Sequence, residues 1–150
     1  MTNLIHNSEW LPGPDGCRKY FSGFGFTYDK LCINGFRTCS VTQEAGCRQE
    51  AADCYDLAID VRGQEVLNYG YVIRAVELCS LILVVEFFDD CGCFIRKDRQ
   101  QAANQVDYQF NRITVCFRVP EKAKAARLRM EFHGKVTACT YYAPIAYFCG

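Results

Sequence analysis

Eleven cysteines in 150 residues constrain this chain more than any other feature of its sequence. Their number is odd, so at least one thiol has no partner within the chain and is either free or bonded to another molecule. No CxxC pair occurs and there are only two histidines, so the spacing of a structural zinc site is absent, and we expect neither a metal nor a cofactor. The cysteines are Cys17, Cys32, Cys39, Cys47, Cys54, Cys79, Cys91, Cys93, Cys116, Cys139 and Cys149. The sequence therefore predicts a fold stabilised by disulfides, with at least one cysteine left to join subunits.

The overall composition is that of a single globular domain covering residues 1–150. Half of the residues are hydrophobic and 14% are aromatic, which is enough to build a sizeable core. Lys plus Arg and Asp plus Glu number 17 each, and a neutral chain has no electrostatic preference for nucleic acid or an anionic membrane. The longest apolar run, residues 81–85, is far too short to cross a bilayer. The N-terminus carries no visible signal peptide. We therefore expect no nucleic acid partner and no insertion into a membrane.

Apolar and polar residues alternate through much of the second half of the chain. Residues 55–61, 113–119 and 128–132 each place apolar side chains on one face and polar side chains on the other. This period of two is typical of half-buried antiparallel strands. Residues 71–88 form a longer extended region, broken near 77–80, whose apolar centre indicates a central strand. The pattern predicts an all-β sandwich of roughly eight antiparallel strands.

Turn signals separate these segments, and two short segments look helical. The helical patterns cover residues 43–53 and 97–105. Gly, Pro, Asn and Asp clusters mark turns at residues 62–64, 68–70, 89–92, 120–121 and 133–134. The positions that face inward along the strands predict a core that includes Leu57, Ile59, Val61, Leu83, Val85, Val115, Phe117, Leu128, Met130 and Phe132.

The N-terminal region has a different character from the rest of the chain. Residues 3–6 predict a short first strand, and the prolines and glycines of residues 11–16 indicate a turn or linker. We therefore interpret residues 1–16 as a possible strand and linker extension of the domain.

Two segments resemble jelly-roll domains of the carbohydrate-binding-module type. One is the run FRVPEKAKAARLRMEF at residues 117–132, and the other is the opening NLIHN at residues 3–7. The resemblance implies a single jelly-roll β-sandwich whose last strand covers residues 141–148 and pairs with the first. Such modules commonly expose aromatic platforms and hold an acidic calcium site, whereas this chain has one tryptophan and no acidic cluster beyond Asp89-Asp90. In its cysteine usage and class the chain is also similar, more loosely, to the disulfide-linked jelly-roll subunits of bacterial endospore appendages.

Four strand and turn cysteines are candidates for disulfides. Cys91 and Cys93 form a CxC on the turn after the strongest strand, where one sulfur can bond within the chain and the other can bond to a second subunit. By alternation, Cys116 faces solvent, and Cys139 does so if Ala138 faces the core. Either of these two can instead pair with a cysteine on a neighbouring strand of the same face.

Cys17 and Cys149 are the candidates for bonds between subunits. Cys17 lies on the Pro/Gly segment and Cys149 is one residue from the end, so both have more freedom than a strand cysteine. A disulfide needs Cα atoms within about 7 Å and suitable Cβ directions, which favours mobile positions.

Two hypotheses for function follow, and neither is enzymatic. The first is a structural subunit that assembles with copies of itself into an extracellular or spore-surface filament or tube, stabilised by disulfides within and between subunits. The alternative is a carbohydrate-binding module that binds a glycan through exposed aromatic residues such as Trp10 or Tyr141. An enzyme is disfavoured because neither His6 nor His133 has a positioned partner in the sequence pattern.

Overall fold

The computed structural model describes residues 2–44 and 50–149, and in them the chain is almost entirely β-structure. All strand pairs are antiparallel. A single turn of 3-10 helix, Ala103–Gln105, follows the eighth strand. The strands are β1 Phe21–Phe24, β2 Thr27–Ile33, β3 Phe36–Gln43, β4 Glu50–Tyr55, β5 Ile59–Asp60, β6 Val66–Arg74, β7 Glu77–Phe88, β8 Phe94–Gln101, β9 Asn111–Arg118 and β10 Ala125–Cys149.

The strands form two layers that share β10, each a row of five strands, and the two-residue β5 also pairs with the start of β10 in the back sheet. The first half of β10 pairs with β4 on one side and β7 on the other, which gives a back sheet in the order β1-β4-β10-β7-β8. The second half of β10 pairs with β3 and β6, which gives a front sheet in the order β2-β3-β10-β6-β9. The predicted β-sandwich is confirmed, with ten strands in place of the expected eight.

β10 passes from one sheet to the other through local irregularities. The pairing register shifts between His133 and Cys139, where Gly134 and Ala138 both have positive φ, and again near Ala143. Bulges of this kind bend a strand without ending it. The turn predicted at residues 133–134 is therefore a bend within β10. The segments 128–132 and 141–148, which were expected to be two separate strands, both belong to β10.

The core lies between the two sheets and largely follows the prediction. Nine of the ten predicted core residues are buried, and Leu57 is partly buried against the core. The centre is unusually aromatic, with Trp10, Tyr71 and Tyr141 in mutual contact at ring-centroid distances of 5.5 to 6.1 Å. Edge-to-face contacts of this kind add to the stabilisation from burial alone.

Four local predictions were wrong in whole or in part. The strand expected at residues 55–61 is interrupted, since β4 ends at Tyr55 and the two-residue β5 begins at Ile59. The helical pattern at 97–105 is mostly strand β8. Of the pattern at 43–53, residues 45–49 lie outside the described residues, and its two described ends belong to strands β3 and β4. In both segments pairing along a sheet overrides local preference. The turn expected at 68–70 lies inside β6.

The N-terminal segment runs beside the end of β10 without forming a regular strand. The backbone N–H of Leu4 donates to the carbonyl of Ala146 at 2.7 Å, and the Asn3 side chain bonds the backbone of Pro144 and Ala146. The two ends of the chain therefore meet, as the resemblance implied. Within the described residues, no helix has the length and apolar character needed to span a membrane.

Candidate functional site

Trp10 and Tyr141, the residues suggested for an aromatic platform, are completely buried. The rings contact each other edge-to-face at 5.5 Å in the centre of the core. A ring without exposed surface cannot stack on a sugar, so this assignment is corrected. Tyr142, which points to the other face of β10, is also largely covered, because Phe36 and Phe110 pack against it.

The aromatic core encloses an ion pair. Both guanidinium nitrogens of Arg18 bond the carboxylate of Asp53, at 2.8 and 3.0 Å, and the Tyr141 hydroxyl donates to the same carboxylate at 2.7 Å. Arg18 also lies over the Trp10 ring at 4.5 Å. Burial is the largest single influence and lowers the pKa of Arg18, but the charge and hydrogen bonds of Asp53, together with Cys39 and Tyr141, outweigh it and raise that pKa. The pair is closed on all sides and is structural.

None of the ten cysteines in the described residues forms a disulfide, and Cys47 lies outside them. Cys39 and Cys139 are buried, and burial raises the pKa of the Cys139 thiol to about 12. Cys139 was expected to face solvent if Ala138 faced the core, but Ala138 is exposed, and the register shift beside it turns Cys139 inward, opposite Val41. Cys54 is partly exposed, and the exposed cysteines are Cys17, Cys32, Cys79, Cys91, Cys93, Cys116 and Cys149.

Two of the candidate cysteines meet at one amide. The Cys116 thiol donates to Asn68 Oδ1 and Asn68 Nδ2 donates to the Cys149 sulfur, both at 2.8 Å. Cys116 and Cys149 lie on the two strands that flank β6, about two strand spacings apart, so their Cα atoms are too distant for a disulfide.

The CxC occupies the expected turn between β7 and β8. The Asp89 carboxylate accepts hydrogen bonds from the backbone N–H groups of Cys91 and Cys93, each at 2.9 Å. Both thiols face solvent. Across the described residues, no three His, Cys, Asp or Glu side chains come together as metal ligands.

A groove on the outer face of the front sheet carries the most suitable chemistry for a ligand. Its volume is about 550 Å³, and we call it the outer-face groove. Its lining residues come from β2, β3, β6, β10 and the segment before β9: Asp29, Lys30, Leu31, Cys32, Ile33, Thr38, Ser40, Arg74, Phe110 and Thr140. The register places Arg74, Thr140 and Ser40 side by side across three strands. The sheet itself therefore fixes the spacing of these groups.

An aromatic surface borders one side of the outer-face groove. Phe110 is partly buried and packs edge-to-face on Tyr142 at 5.4 Å, and Phe36 contacts Tyr142 from the other side at 5.8 Å. Tyr142 thus supports the Phe110 ring from beneath. A rigidly held, partly exposed ring of this kind suits contact with the C–H face of a sugar or another flat ligand.

Hydroxyl groups and one carboxylate line the opposite side. Asp29 accepts hydrogen bonds from Thr38 at 2.8 Å and from Ser40 at 2.6 Å. The Ser40 hydroxyl lies 3.4 Å from that of Thr140, which faces Arg74 on the next strand. These groups form a row of hydrogen-bonding atoms across neighbouring strands in the same groove as Phe110.

Two arginines on this face have no acidic partner. No ion pair among the described residues includes Arg74 or Arg112. Arg74 Nε is buried and has no hydrogen-bond acceptor, and its guanidinium carbon lies 5.8 Å from the Phe110 ring centroid. Arg112 donates to the backbone carbonyl of Ala143 at 2.6 Å. A buried hydrogen-bond donor without an acceptor is uncommon in folded proteins and needs an explanation.

A second groove, at the loop end of the sandwich, has aromatic residues but fewer available polar groups. Its volume is about 610 Å³, and Phe24 and Phe26 contribute to its walls. Arg18 there is bonded to Asp53, and the Tyr28 hydroxyl donates to the backbone carbonyl of Trp10. Because these polar groups already have partners inside the protein, this groove is less suited to a polar ligand than the outer-face groove.

A third groove lies between the turn before β6 and the end of β9, with a volume of about 510 Å³. Among the described residues that line it, none is aromatic, and the charged ones include Glu65, Arg96 and Arg118. Arg96 is paired with Asp98 at 3.0 Å. This groove lacks the combination of aromatic and hydrogen-bonding surface.

Sequence inspection did not identify the residues of the outer-face groove. Arg74, Phe110 and Thr140 are separated by 30 or more positions and belong to no motif. The available signal was the Tyr141-Tyr142 pair, which predicts one tyrosine on the outer face. Only the pairing of β10 with β6 shows that Arg74 lies beside that tyrosine.

Comparisons with known proteins identify the fold. No protein-family model matches the sequence, and no curated protein matches it either. The chain is similar in structure to the family 16 carbohydrate-binding module-2, with a TM-score of 0.63 and 11% identity over 97% of this chain and 99% of that one. It is also similar to the CBM22-1 xylan-binding domain of Paenibacillus barcinonensis Xyn10C, with a TM-score of 0.59 and 15% identity over 98% and 94%.

A third similar structure belongs to a larger protein. It is the enzymatically active domain of bacteriophage CBA120 tailspike protein 4, with a TM-score of 0.67 and 14% identity over 98% of this chain. This chain spans only 21% of the tailspike chain. At identities of 15% and below, these similarities establish the fold. The protein is a jelly-roll β-sandwich of the type seen in carbohydrate-binding modules.

Proposed function

We propose that this chain is a non-catalytic carbohydrate-binding module and that a glycan binds in the outer-face groove. One observation carries the proposal: the same groove is lined by the ring of Phe110, which packs on Tyr142, and by neighbouring hydroxyls of Ser40 and Thr140. Sugars present an apolar C–H face and a rim of hydroxyls, so a binding site for them needs an apolar surface and hydrogen-bonding groups.

The similar structures support the same class of function. Two of them are carbohydrate-binding modules that have nearly the length of this chain. Function on a common fold depends on the site, and the site here differs from the Trp10 and Tyr141 platform suggested by the sequence. The aromatic residue assigned to the ligand is Phe110. A glycan ligand also fits an extracellular or surface location.

The test is binding to a panel of soluble polysaccharides, followed by affinity measurement on those that bind. Phe110→Ala should weaken binding at least tenfold, because it removes the ring that packs on the sugar. Phe94→Ala is the matched control, since Phe94 is 56% exposed on the back sheet, away from the groove. Its affinity should equal that of the unmodified protein.

Two results would contradict the proposal. One is the absence of binding to every polysaccharide in a broad panel. The other is equal affinity of the Phe110→Ala variant and the unmodified protein, with both folded by circular dichroism. The second result would direct attention to the loop-end groove, where Phe24→Ala is the corresponding variant.

A second candidate, self-assembly into a disulfide-linked filament or tube, is favoured by one observation. Seven of the ten described cysteines are exposed, and no position in the strand pairing places two of them opposite each other. Thiols without partners inside the chain are available to a neighbouring copy. Electrophoresis without reductant tests this, with a ladder of species expected from assembly and a single monomer band expected without it.

A further inference from the structure

The outer-face groove has an unsatisfied positive charge. Arg74 and Lys30 line the groove, and Asp29 is its only acidic residue among those that the structure describes. Asp29 is already bonded to the hydroxyls of Thr38 and Ser40, and it lies beyond ion-pair distance of Arg74. The charge of Arg74 therefore has no counter-charge within ion-pair distance among the described residues.

The environment of Arg74 makes this charge effective. Part of its guanidinium is removed from water, as the buried Nε shows, and the Phe110 ring lies beside it. Charges that are partly removed from water are screened less by solvent and salt than exposed charges are. A half-buried guanidinium without an acidic partner among the described residues is therefore a favourable site for an anion.

Arg112 adds to the positive character of this face. Arg112 pairs with Val72 on β6, and Val72 pairs in turn with Tyr142 on β10. Arg74 lies two residues further along β6 than Val72, so it is on the same face of the sheet. The one hydrogen bond of Arg112 in the structure goes to an uncharged backbone carbonyl. Two guanidiniums without an acidic partner among the described residues therefore lie on the outer face of the front sheet, close to the aromatic surface.

We propose that the outer-face groove selects glycans that contain uronic acid residues and that Arg74 binds the uronate carboxylate. This inference rests on the proposed glycan-binding function and adds the substrate class. The two Nη groups of a guanidinium present N–H donors in one plane, which match the two oxygens of a carboxylate and give a bidentate, charge-assisted pair. The ring of the same sugar then packs against Phe110, and its hydroxyls reach Thr140 and Ser40.

The experiment compares matched pairs of oligosaccharides by calorimetry. In each pair one member has a C6 carboxylate and the other a C6 hydroxyl, as in oligogalacturonate and galacto-oligosaccharide of the same linkage and length. For at least one pair, the acidic member should bind tenfold or more tightly than the neutral one. Raising the salt concentration should weaken binding of the acidic member more than binding of the neutral one.

Variants assign the preference to Arg74. Arg74→Gln should remove the preference for the acidic member over the neutral one, whereas Arg74→Lys should keep part of the preference, because lysine retains the charge but not the bidentate geometry. The matched control is Arg99→Gln, an exposed arginine opposite Val84 on the back sheet, which should leave both affinities unchanged. Thermal unfolding midpoints verify that each variant is folded.

The outcomes separate this inference from the proposed function. If neutral and acidic members bind equally, or if Arg74→Gln retains the preference, the inference is overturned while glycan binding stands. If an oligosaccharide that carries sulfate groups but no carboxylate binds as tightly as the uronate, the carboxylate assignment is overturned. If no oligosaccharide binds, both the inference and the proposed function are wrong.

Discussion

At the scale of single residues, the ion pair of Arg18 and Asp53 is the feature with the largest expected effect on stability. Both side chains are nearly or fully buried, at 3% and 0% exposure, and the Tyr141 hydroxyl completes the hydrogen bonding of the carboxylate. Removing one partner of a buried pair leaves an uncompensated charge in a medium of low dielectric constant. The aromatic rings around Arg18 cannot replace a hydrogen-bond acceptor.

Asp53→Ala should therefore destabilise the protein by about 3–5 kcal/mol, measured by urea or thermal unfolding. The matched control is Asp60→Ala, which removes an ion pair with Arg62 on the surface, where both side chains are more than half exposed. Water replaces the lost partner there, so the unfolding midpoint should be almost unchanged. Equal effects of the two substitutions would contradict the structural role of the buried pair.

At the scale of elements, β6 explains why a glycine was mistaken for a turn signal. Gly70 lies in the middle of the strand, between Thr114 on β9 and Ile145 on β10. A Cβ at this position would overlap the carbonyl oxygen of Ile113 in the neighbouring strand. Glycine is needed here for close approach of two backbones, and the local sequence carries no sign that distinguishes this use from a turn.

Gly70→Ala should consequently destabilise the protein by about 1–3 kcal/mol or more, since the overlapping atom belongs to backbone and cannot move aside as a side chain can. Gly13→Ala is the control, because the nearest atom to a Cβ there lies at 3.4 Å, an ordinary contact. Its unfolding midpoint should stay close to that of the unmodified protein. A Gly70→Ala variant as stable as the Gly13→Ala variant would show that β6 and β9 are spaced differently from the structure.

At the scale of the whole molecule, β10 joins the two sheets and the exposed cysteines lie around the resulting sandwich. Because the strand contributes to both sheets, damage to either half of β10 affects both layers. Cys17 and Cys149 are exposed, and neither has another cysteine opposite it in the strand pairing. Their assignment as links between subunits stays a prediction.

If copies of the chain do assemble covalently, Cys17→Ser or Cys149→Ser should leave the monomer folded and make the assembly more sensitive to heat or detergent. Both positions are exposed, so the substitution creates no cavity and no buried polar group. Peptide mapping without reduction locates the bonds directly. If Cys17 and Cys149 both prove to be free or bonded within one chain, the assignment is wrong. Cys39→Ser is a contrasting control, because this buried thiol should affect monomer stability and leave any covalent link intact.

The sequence by itself determined the fold class and most of the core. Alternation of apolar and polar residues is a local property, since successive strand side chains point to opposite faces whatever the strand pairs with. For that reason Val115, Phe117, Leu128 and Met130 could be assigned to the interior before any pairing was known. The same rule failed at Cys139, where a register shift next to Ala138 reverses the alternation.

Only the tertiary structure decided the position of the candidate site. Arg74, Phe110 and Thr140 lie in different parts of the chain, and they become neighbours because β10 pairs with β6 and the segment before β9 folds over Tyr142. Trp10 looked suitable for a surface role by residue type, yet the fold places it in the core. Which side chains meet, and which remain without a partner, depends on strand register, and register is set by packing across the whole sandwich rather than by any local pattern.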